Sequence, residues 1–198
     1  MDVFEYMQFT TKIAVLKINE NISTSFLTPY EIEELSAIKN TRRRKEYIAI
    51  RNLRTHLFGK IPIIYNQHGA PTIDLEKNIS ISHSKEYAVI AYSNKHLVGV
   101  DIEEENRDVS LIEKKFISKE EHLKFSHEKE NSIKIWCIKE ALYKLHQKKR
   151  LNFIKDLSCE KINENIWKGT IRVDQKKEHL FFIKKFKNHI ICFNFEER

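Results

Sequence analysis

Two long helical segments alternate with groups of short β-like runs, and this alternation constrains the fold of the 198-residue chain more than any other feature. In residues 42–58 the apolar positions recur every three or four residues, as they do on one face of an α-helix. Residues 132–148 repeat this spacing. The apolar stripe of the second segment consists of Cys137, Ile138, Ala141, Leu142 and Leu145.

The segments between these helices have the composition of β-strands. They are short, apolar and rich in β-branched or aromatic residues. We predict strands at residues 12–18, 61–65, 79–82, 87–92, 97–102, 167–173, 180–184 and 190–195. Pro62 makes the second of these an edge strand at best.

Two further helix starts are indicated by capping boxes, in which Thr28 stands three residues before Glu31 and Ser118 three before Glu121. Helices and strands in both parts of the chain predict an α+β fold. We expect a division near residues 96–99, which gives an N-terminal half of residues 1–97 and a C-terminal half of residues 98–198.

An acidic strand, GVDIE at residues 99–103, carries the most informative side chains. Since side chains alternate along a strand, Asp101 and Glu103 share one face while Val100 and Ile102 point into a core. Paired carboxylates repel each other unless a cation lies between them, and hard oxygen ligands suit Mg²⁺. A solvent-facing acidic edge is the alternative interpretation.

A carboxylate and an ammonium lie together along the edge of the second helical segment. Glu140 and Lys144 are four residues apart, so they occupy the same side of the helix beside its apolar stripe. The pair could also be an ordinary salt bridge, which stabilises a helix by only about 0.3–0.5 kcal/mol.

Hydrogen-bond donors for a phosphate appear in two places upstream. Residues 82–84 read SHS at a predicted strand end, where His83 and its flanking serines can donate. A basic run at residues 42–45 continues with Arg51 and Arg54, and guanidinium groups bind phosphate oxygens in pairs. A structural histidine and a solvated basic helix face are the alternatives.

Charge and cysteine content narrow the class of protein. The net charge of +7 favours an acidic or phosphorylated partner. The three cysteines are scattered without a CxxC pair, which argues against a zinc or redox motif and fits a reducing compartment. The start has no signal-peptide pattern and no apolar run is long enough to cross a membrane, so we expect a cytoplasmic protein.

Together these motifs resemble the Sfp-type 4′-phosphopantetheinyl transferase family. That family has a GxDxE strand followed about forty residues later by WxxKEAxxK. Here the motifs read GVDIE at residues 99–103 and WCIKEALYK at residues 136–144, with SHS at residues 82–84 upstream. The resemblance runs from about residue 42 to residue 144.

The resemblance implies a pseudo-twofold pair of α/β halves with coenzyme A in the cleft between them. It implies Asp101, Glu103 and Glu140 as ligands of Mg²⁺. The expected reaction moves the phosphopantetheine arm of coenzyme A to a serine of an apo acyl or peptidyl carrier protein and releases adenosine 3′,5′-bisphosphate. In this reaction Glu140 is our candidate general base, and Lys144 stabilises or protonates the departing phosphate.

The resemblance also assigns the cofactor contacts. Ser82, His83 and Lys144 would contact the phosphates of coenzyme A, and Arg51 and Arg44 its 3′-phosphate end. The family often has Gly-Lys-Pro before the SHS strand, but this chain has Gly-Ala-Pro at residues 69–71, so the lysine contact is missing.

The carrier proteins of the family are acidic helical bundles, which the basic chain would attract. We expect a docking patch near residues 116–125, a monomer, and neither nucleic acid nor membrane as a partner. Two alternatives stay open, namely a Mg²⁺-dependent nuclease or phosphodiesterase and a coenzyme A-binding homologue without activity. Nucleases of the D…(D/E)xK type carry the last acid and lysine two residues apart on a strand, unlike Glu140 and Lys144.

Overall fold

A computed structural model describes residues 2–125, 129–148 and 150–196 of the chain. The described residues form the predicted α+β fold. The helices are α1 Pro29–Ala37, α2 Thr41–Phe58, α3 Ser110–Glu113, α4 Lys119–Phe125 and α5 Lys129–His146. The strands are β1 Val3–Gln8, β2 Thr11–Lys17, β3 Ile63–Tyr65, β4 Pro71–Ile73, β5 Asn78–His83, β6 Tyr87–Ser93, β7 Val100–Glu104, β8 Leu157–Lys161, β9 Ile166–Val173, β10 Gln175–Phe186 and β11 His189–Phe195.

The first sheet is antiparallel with the order β1-β2-β6-β5, and its residues all precede residue 97. The apolar residues of strand β2 explain why this strand lies inside the sheet. Ala14 and Leu16 pack in the core under helix α2, while the alternate residues Ile13 and Val15 pack in a separate core. Strand β2 is therefore buried on both faces, and strand β5 is left at an edge of the sheet.

The second sheet is also antiparallel, with the order β7-β11-β10-β9-β8. The predicted apolar stripe of α5 lies on this sheet, and its members are all buried in one core with Trp167 and Phe181. Each large sheet thus carries one helix of 18 residues, α2 on the first and α5 on the second.

A third apolar core joins the two sheets. It combines Ile13, Val15 and Val89 of the first sheet with Val100, Ile102, Ile191 and Phe193 of the second. The proposed division after residue 97 falls on the connection between β6 and β7. That division stays a prediction, because the shared core makes the two sheets one packed unit in the described residues.

Several sequence predictions are confirmed and others need correction. Both capping boxes form: Thr28 with Glu31 and Ser118 with Glu121 exchange the expected hydrogen bonds. The acidic strand begins at Val100 and not at residue 97. Strands β1, β4 and β8 and the short helix α3 were not predicted. No helix in the described part of the chain is long and apolar enough to cross a membrane.

Candidate active site

The edge strands of the two large sheets meet beside one another, and two serines of β5 connect them. Ser80 Oγ accepts a hydrogen bond from the backbone N–H of Val100 at 3.1 Å. Ser82, two residues further along the same face, donates to Asp101 Oδ1 at 2.7 Å. Because side chains alternate along β5, both hydroxyls point toward β7. Strand β5 of the first half of the chain is therefore hydrogen-bonded through these serines to the acidic strand of the second half.

A cavity of about 930 Å³ opens at this junction. Helix α2, the β3–β4 hairpin, strand β5 and the end of helix α5 surround it. Five residues predicted for the site line this cavity: Arg51, Ser82, His83, Asp101 and Lys144. The fold therefore brings to one place residues that are up to 93 positions apart in the sequence.

Lys144 and Asp101 form the central contact of the cavity wall. The ammonium of Lys144 lies 2.7 Å from Asp101 Oδ1 and donates to Ser82 Oγ and to the carbonyl of Val100, each at 2.9 Å. Lys144 thus pairs with the acidic strand, an ion pair that helical spacing alone does not indicate. Asp101 is buried, and its other oxygen, Oδ2, has no hydrogen-bond partner within the described residues.

Glu103 and Glu140 place two more carboxylates near Asp101. Glu103 Oε1 accepts hydrogen bonds from Arg107 and from Trp136 Nε1, the latter at 2.7 Å. Burial, together with the negative charges of Asp101 and Glu103 and against the opposing charge of Lys144, raises the pKa of Glu140 to about 7. Burial and Asp101 likewise raise the pKa of Glu103.

The donor chemistry of these three acids suits a divalent cation. Their mutual repulsion and the unpartnered Oδ2 of Asp101 are both unfavourable in the protein alone. A hard cation such as Mg²⁺ would relieve both at once, since it accepts several carboxylate oxygens and keeps room for phosphate oxygens. Asp101, Glu103 and Glu140 are therefore the candidate ligands of Mg²⁺, and of the three only Asp101 is among the described residues that line the cavity.

His83 faces the cavity with 42% of its side chain exposed. Its Nδ1 lies 3.5 Å from Glu46 Oε1, and Glu46 is itself buried and paired with Arg42 at 2.7 Å. Burial lowers the pKa of His83, while Glu46 opposes that shift. Glu46 thus places a carboxylate beside the imidazole, a contact that no motif in the sequence indicates.

Arg51 lines the cavity but is held by protein groups on several sides. Its Nε lies 3.2 Å from Glu31, its guanidinium lies 4.2 Å from the ring centre of Tyr47, and Nη1 donates to the hydroxyl of Tyr65 at 3.4 Å. The same Glu31 accepts from the fully buried Arg54 at 2.6 Å. This network fixes the direction of Arg51 before any ligand arrives.

Arg44, Glu103 and Glu140 are not among the residues that line the cavity. Arg44 donates instead to the carbonyl oxygens of Leu35 and Ile38 at 2.5 and 3.2 Å, which completes the end of helix α1. A nucleotide contact of Arg44 stays a prediction.

Other cavity residues were not assigned individually as ligands from the sequence. The side chains that line the cavity and can contact an anion or a nucleobase include Arg42, Arg43, Tyr47, Tyr65, His68, Tyr143 and Lys148. The basic run at residues 42–45 was a signal for the first two. Nothing in the spacing pointed to His68, which the β3–β4 turn brings to the cavity.

Comparison with known proteins points to one family. Residues 97–193 match the family model of the 4′-phosphopantetheinyl transferase superfamily. The chain is 33% identical over 108 residues to 4′-phosphopantetheinyl transferase gsp of Aneurinibacillus migulanus, and this match covers 51% of the chain and 43% of that protein. The chain thus spans less than half the length of this curated relative. Residues 97–193, which contain the acidic strand and the helix with Glu140 and Lys144, are therefore similar to the 4′-phosphopantetheinyl transferase superfamily.

Proposed function

We propose that the protein is a Mg²⁺-dependent 4′-phosphopantetheinyl transferase. It moves the phosphopantetheine arm of coenzyme A to a serine of an apo acyl or peptidyl carrier protein and releases adenosine 3′,5′-bisphosphate. One observation carries this proposal. Asp101 and Lys144, with Glu103 and Glu140 beside them, stand at the wall of a cavity that also presents arginine, lysine and histidine side chains.

Asp101, Glu103 and Glu140 would hold Mg²⁺ through their carboxylate oxygens. The ion, when bound, would neutralise negative charge on the diphosphate of coenzyme A. Trp136 and Arg107 would keep Glu103 in place, because both donate to its Oε1. Ser82 would do the same for Asp101, leaving Oδ2 of that carboxylate available.

The transfer forms a bond between the serine oxygen of the carrier and the β-phosphorus of coenzyme A. It breaks the bond from that phosphorus to the bridging oxygen, which leaves with the nucleotide. Glu140 would take the proton of the serine hydroxyl as the general base. Lys144, whose ammonium is at the cavity wall, would stabilise charge on the departing phosphate.

The nucleotide would lie along helix α2. Arg51, held by Glu31 and Tyr47, lines the cavity, and Arg42 and Arg43 add positive charge nearby. His83, at the end of strand β5, would donate a hydrogen bond to a phosphate oxygen. Ala70 occupies the place of the lysine that the family often has, and His68 at the same turn is the candidate replacement.

The carrier protein would dock on helices α3 and α4. Leu111 and Leu123 are 93% and 76% exposed, which is unusual for leucines. A groove beside Leu123 is also lined by Ile117, Lys114 and Lys119. Apolar residues flanked by lysines suit an acidic helical carrier. Phe116 corrects the expected patch, since it is fully buried and does not contribute to the surface.

We further propose that the protein acts as a monomer in the cytoplasm. The two halves of the chain supply both walls of the cavity, so no second copy is needed to complete it. The three cysteines are free and buried, as expected for a reducing compartment. Light scattering of the purified protein at several concentrations should return the mass of one chain.

The nuclease alternative is less consistent with the described geometry. Glu140 and Lys144 lie on helix α5, and Lys144 pairs with Asp101 across to strand β7. Thermal unfolding with added ligands separates the two functions. We expect coenzyme A with Mg²⁺ to raise the unfolding midpoint, and short DNA or RNA duplexes to leave it unchanged.

The decisive test is mass spectrometry of an apo carrier protein incubated with the protein, coenzyme A and Mg²⁺. We expect a gain of one phosphopantetheine per carrier. Asp101→Ala should abolish the gain, and Glu140→Gln should reduce turnover more than coenzyme A binding. Glu105→Gln is the matched control, because Glu105 pairs with Lys185 away from the cavity. Wild-type transfer by Asp101→Ala would refute the metal site, and coenzyme A binding without transfer to any carrier would indicate a non-catalytic homologue.

A further inference from the structure

A second group of metal-ligating side chains lies where the two halves of the chain meet. It consists of Glu86, Glu104 and His189, whose ligand atoms are all within 4.8 Å of one another. Glu104 ends strand β7 and pairs in register with His189 of β11, while Glu86 comes from the turn between β5 and β6. By the alternation of β7, Glu104 points to the face opposite Asp101 and Glu103.

His189 is held in the form that binds a metal. It is fully buried, and its Nδ1 lies 2.9 Å from Asn188 Oδ1, an acceptor, which favours the tautomer with the ring proton on Nδ1. The lone pair is therefore on Nε2, which has no hydrogen-bond partner within the described residues. A buried polar atom without a partner is costly, and histidines that bind metals commonly donate their other N–H to such a neighbour.

Asn188 also connects this histidine to one of the two acids. Its Nδ2 donates to Glu86 Oε1 at 3.3 Å while its Oδ1 accepts from His189. The adjacent Glu105 has a cationic partner, Lys185, at 2.6 Å. Within the described part of the chain, neither Glu86 nor Glu104 forms an ion pair of this kind, although both are half-buried.

We propose that Glu86, Glu104 and His189 bind a transition-metal ion of the Zn²⁺ class. An imidazole nitrogen with two carboxylates prefers Zn²⁺ to Mg²⁺, and a water would complete a tetrahedral site. In a tetrahedral site with bonds of about 2.1 Å, two ligand atoms lie about 3.4 Å apart. A small rotation of the half-buried glutamates closes the site. The ion would cross-link the β5–β6 turn of the first half of the chain to strands β7 and β11 of the second half.

The test uses full-length protein with Asp101→Asn, so that the carboxylate of Asp101 does not compete for the metal. Zn²⁺ is titrated by calorimetry, and Co²⁺ serves as an optical probe of a tetrahedral site. We expect one ion per chain, with a higher unfolding midpoint when it is bound. Adding Glu104→Gln or Glu86→Gln should weaken the affinity at least about tenfold and remove the Co²⁺ absorption bands.

Glu105→Gln in the same background is the matched control and should leave affinity and absorption unchanged. The two glutamine variants keep the size of the side chain, so they avoid the folding defect that loss of buried His189 would bring. The proposal would be overturned if Glu104→Gln left the Zn²⁺ affinity unchanged, or if the Asp101→Asn protein did not bind Zn²⁺. Neither result bears on phosphopantetheine transfer, because the assay contains no coenzyme A and no carrier protein.

Discussion

At the scale of single residues, Lys139 shows that a motif residue can serve the fold instead of the chemistry. It is fully buried, and its ammonium donates to the carbonyls of Phe116 and Phe153 and to Glu121 at 2.7 Å. Glu121 in turn accepts from the backbone N–H of Cys159 at 2.9 Å. One lysine thus joins helix α5 to helix α4, the loop after α5 and strand β8.

Lys139→Ala should destabilise the protein by about 3–5 kcal/mol, because it leaves the buried charge of Glu121 without its partner. Urea unfolding followed by tryptophan fluorescence measures this change. Lys168→Ala is the control, since Lys168 pairs with Glu160 at the surface and its loss should move the midpoint little. Similar shifts for the two variants would show that burial of Lys139 does not make its ion pair important.

The three buried thiols should be unreactive in the native protein. Burial raises the pKa of Cys137 and Cys159 well above the ordinary thiol value, and Cys192 is equally buried. Because the thiolate is the reactive species, native protein should not react with a thiol-specific chromogenic reagent on a timescale of minutes. Unfolded protein should release three equivalents of chromophore, one for each cysteine in the sequence. Rapid reaction of the native protein would contradict the burial.

At the scale of elements, local patterns predicted what depends on neighbours in sequence. Helices α2 and α5, both capping boxes and the shared face of Asp101 and Glu103 follow from spacings of two to four residues. The contacts of Ser82 with Asp101 and of Glu46 with His83 depend on how separate elements pack, so no spacing reveals them. Arg44 illustrates this limit, because a helix face does not say whether it meets a ligand or another helix.

The predicted strand boundaries were wrong for a related reason. Strand β10 extends from Gln175 to Phe186, although only residues 180–184 were predicted. Its polar first part is a strand because the ladder with β9 continues to Val173. Strand β8 has a mixed composition, LSCEK, and is ordered by pairing with the same neighbour. Backbone pairing with a partner strand thus outweighs local hydrophobicity at these edges.

Gly99 sets the distance between helix α5 and the start of strand β7. A Cβ at this position would lie 2.1 Å from the carbonyl oxygen of Ala141, a backbone atom that cannot rotate away. Gly99→Ala should therefore displace α5, cost about 1–3 kcal/mol of stability and reduce transfer by moving Glu140 and Lys144. Denaturant unfolding and the carrier assay measure the two effects.

Gly169→Ala is the comparison for this variant. Its added Cβ would meet side-chain atoms of Phe181 and Leu142 at 2.8 and 2.9 Å, and side chains can adjust. We expect it to cost less stability than Gly99→Ala and to spare more activity. The reverse order would mean that contact with the helix backbone is not what requires glycine at residue 99.

At the scale of the whole molecule, the active site depends on the docking of two sheets. Asp101 is held by Ser82 of the first half and by Lys144 of the second, and the cavity has walls from both. The apolar core between the sheets includes Ile13 and Val100, which come from opposite halves. Since this core is buried as deeply as the others, the two halves should unfold together.

Ile13→Ala tests this coupling, because Ile13 lies in the first half while both tryptophans, Trp136 and Trp167, lie in the second. Removing this buried side chain should cost about 2–5 kcal/mol. We expect tryptophan fluorescence and far-UV circular dichroism to report the same lowered midpoint in urea. Ile64→Ala, at a side chain that is 56% exposed, should change stability by less than about 0.5 kcal/mol. An unchanged tryptophan transition in Ile13→Ala would mean that the second half folds without the first, and that the site is assembled only afterwards.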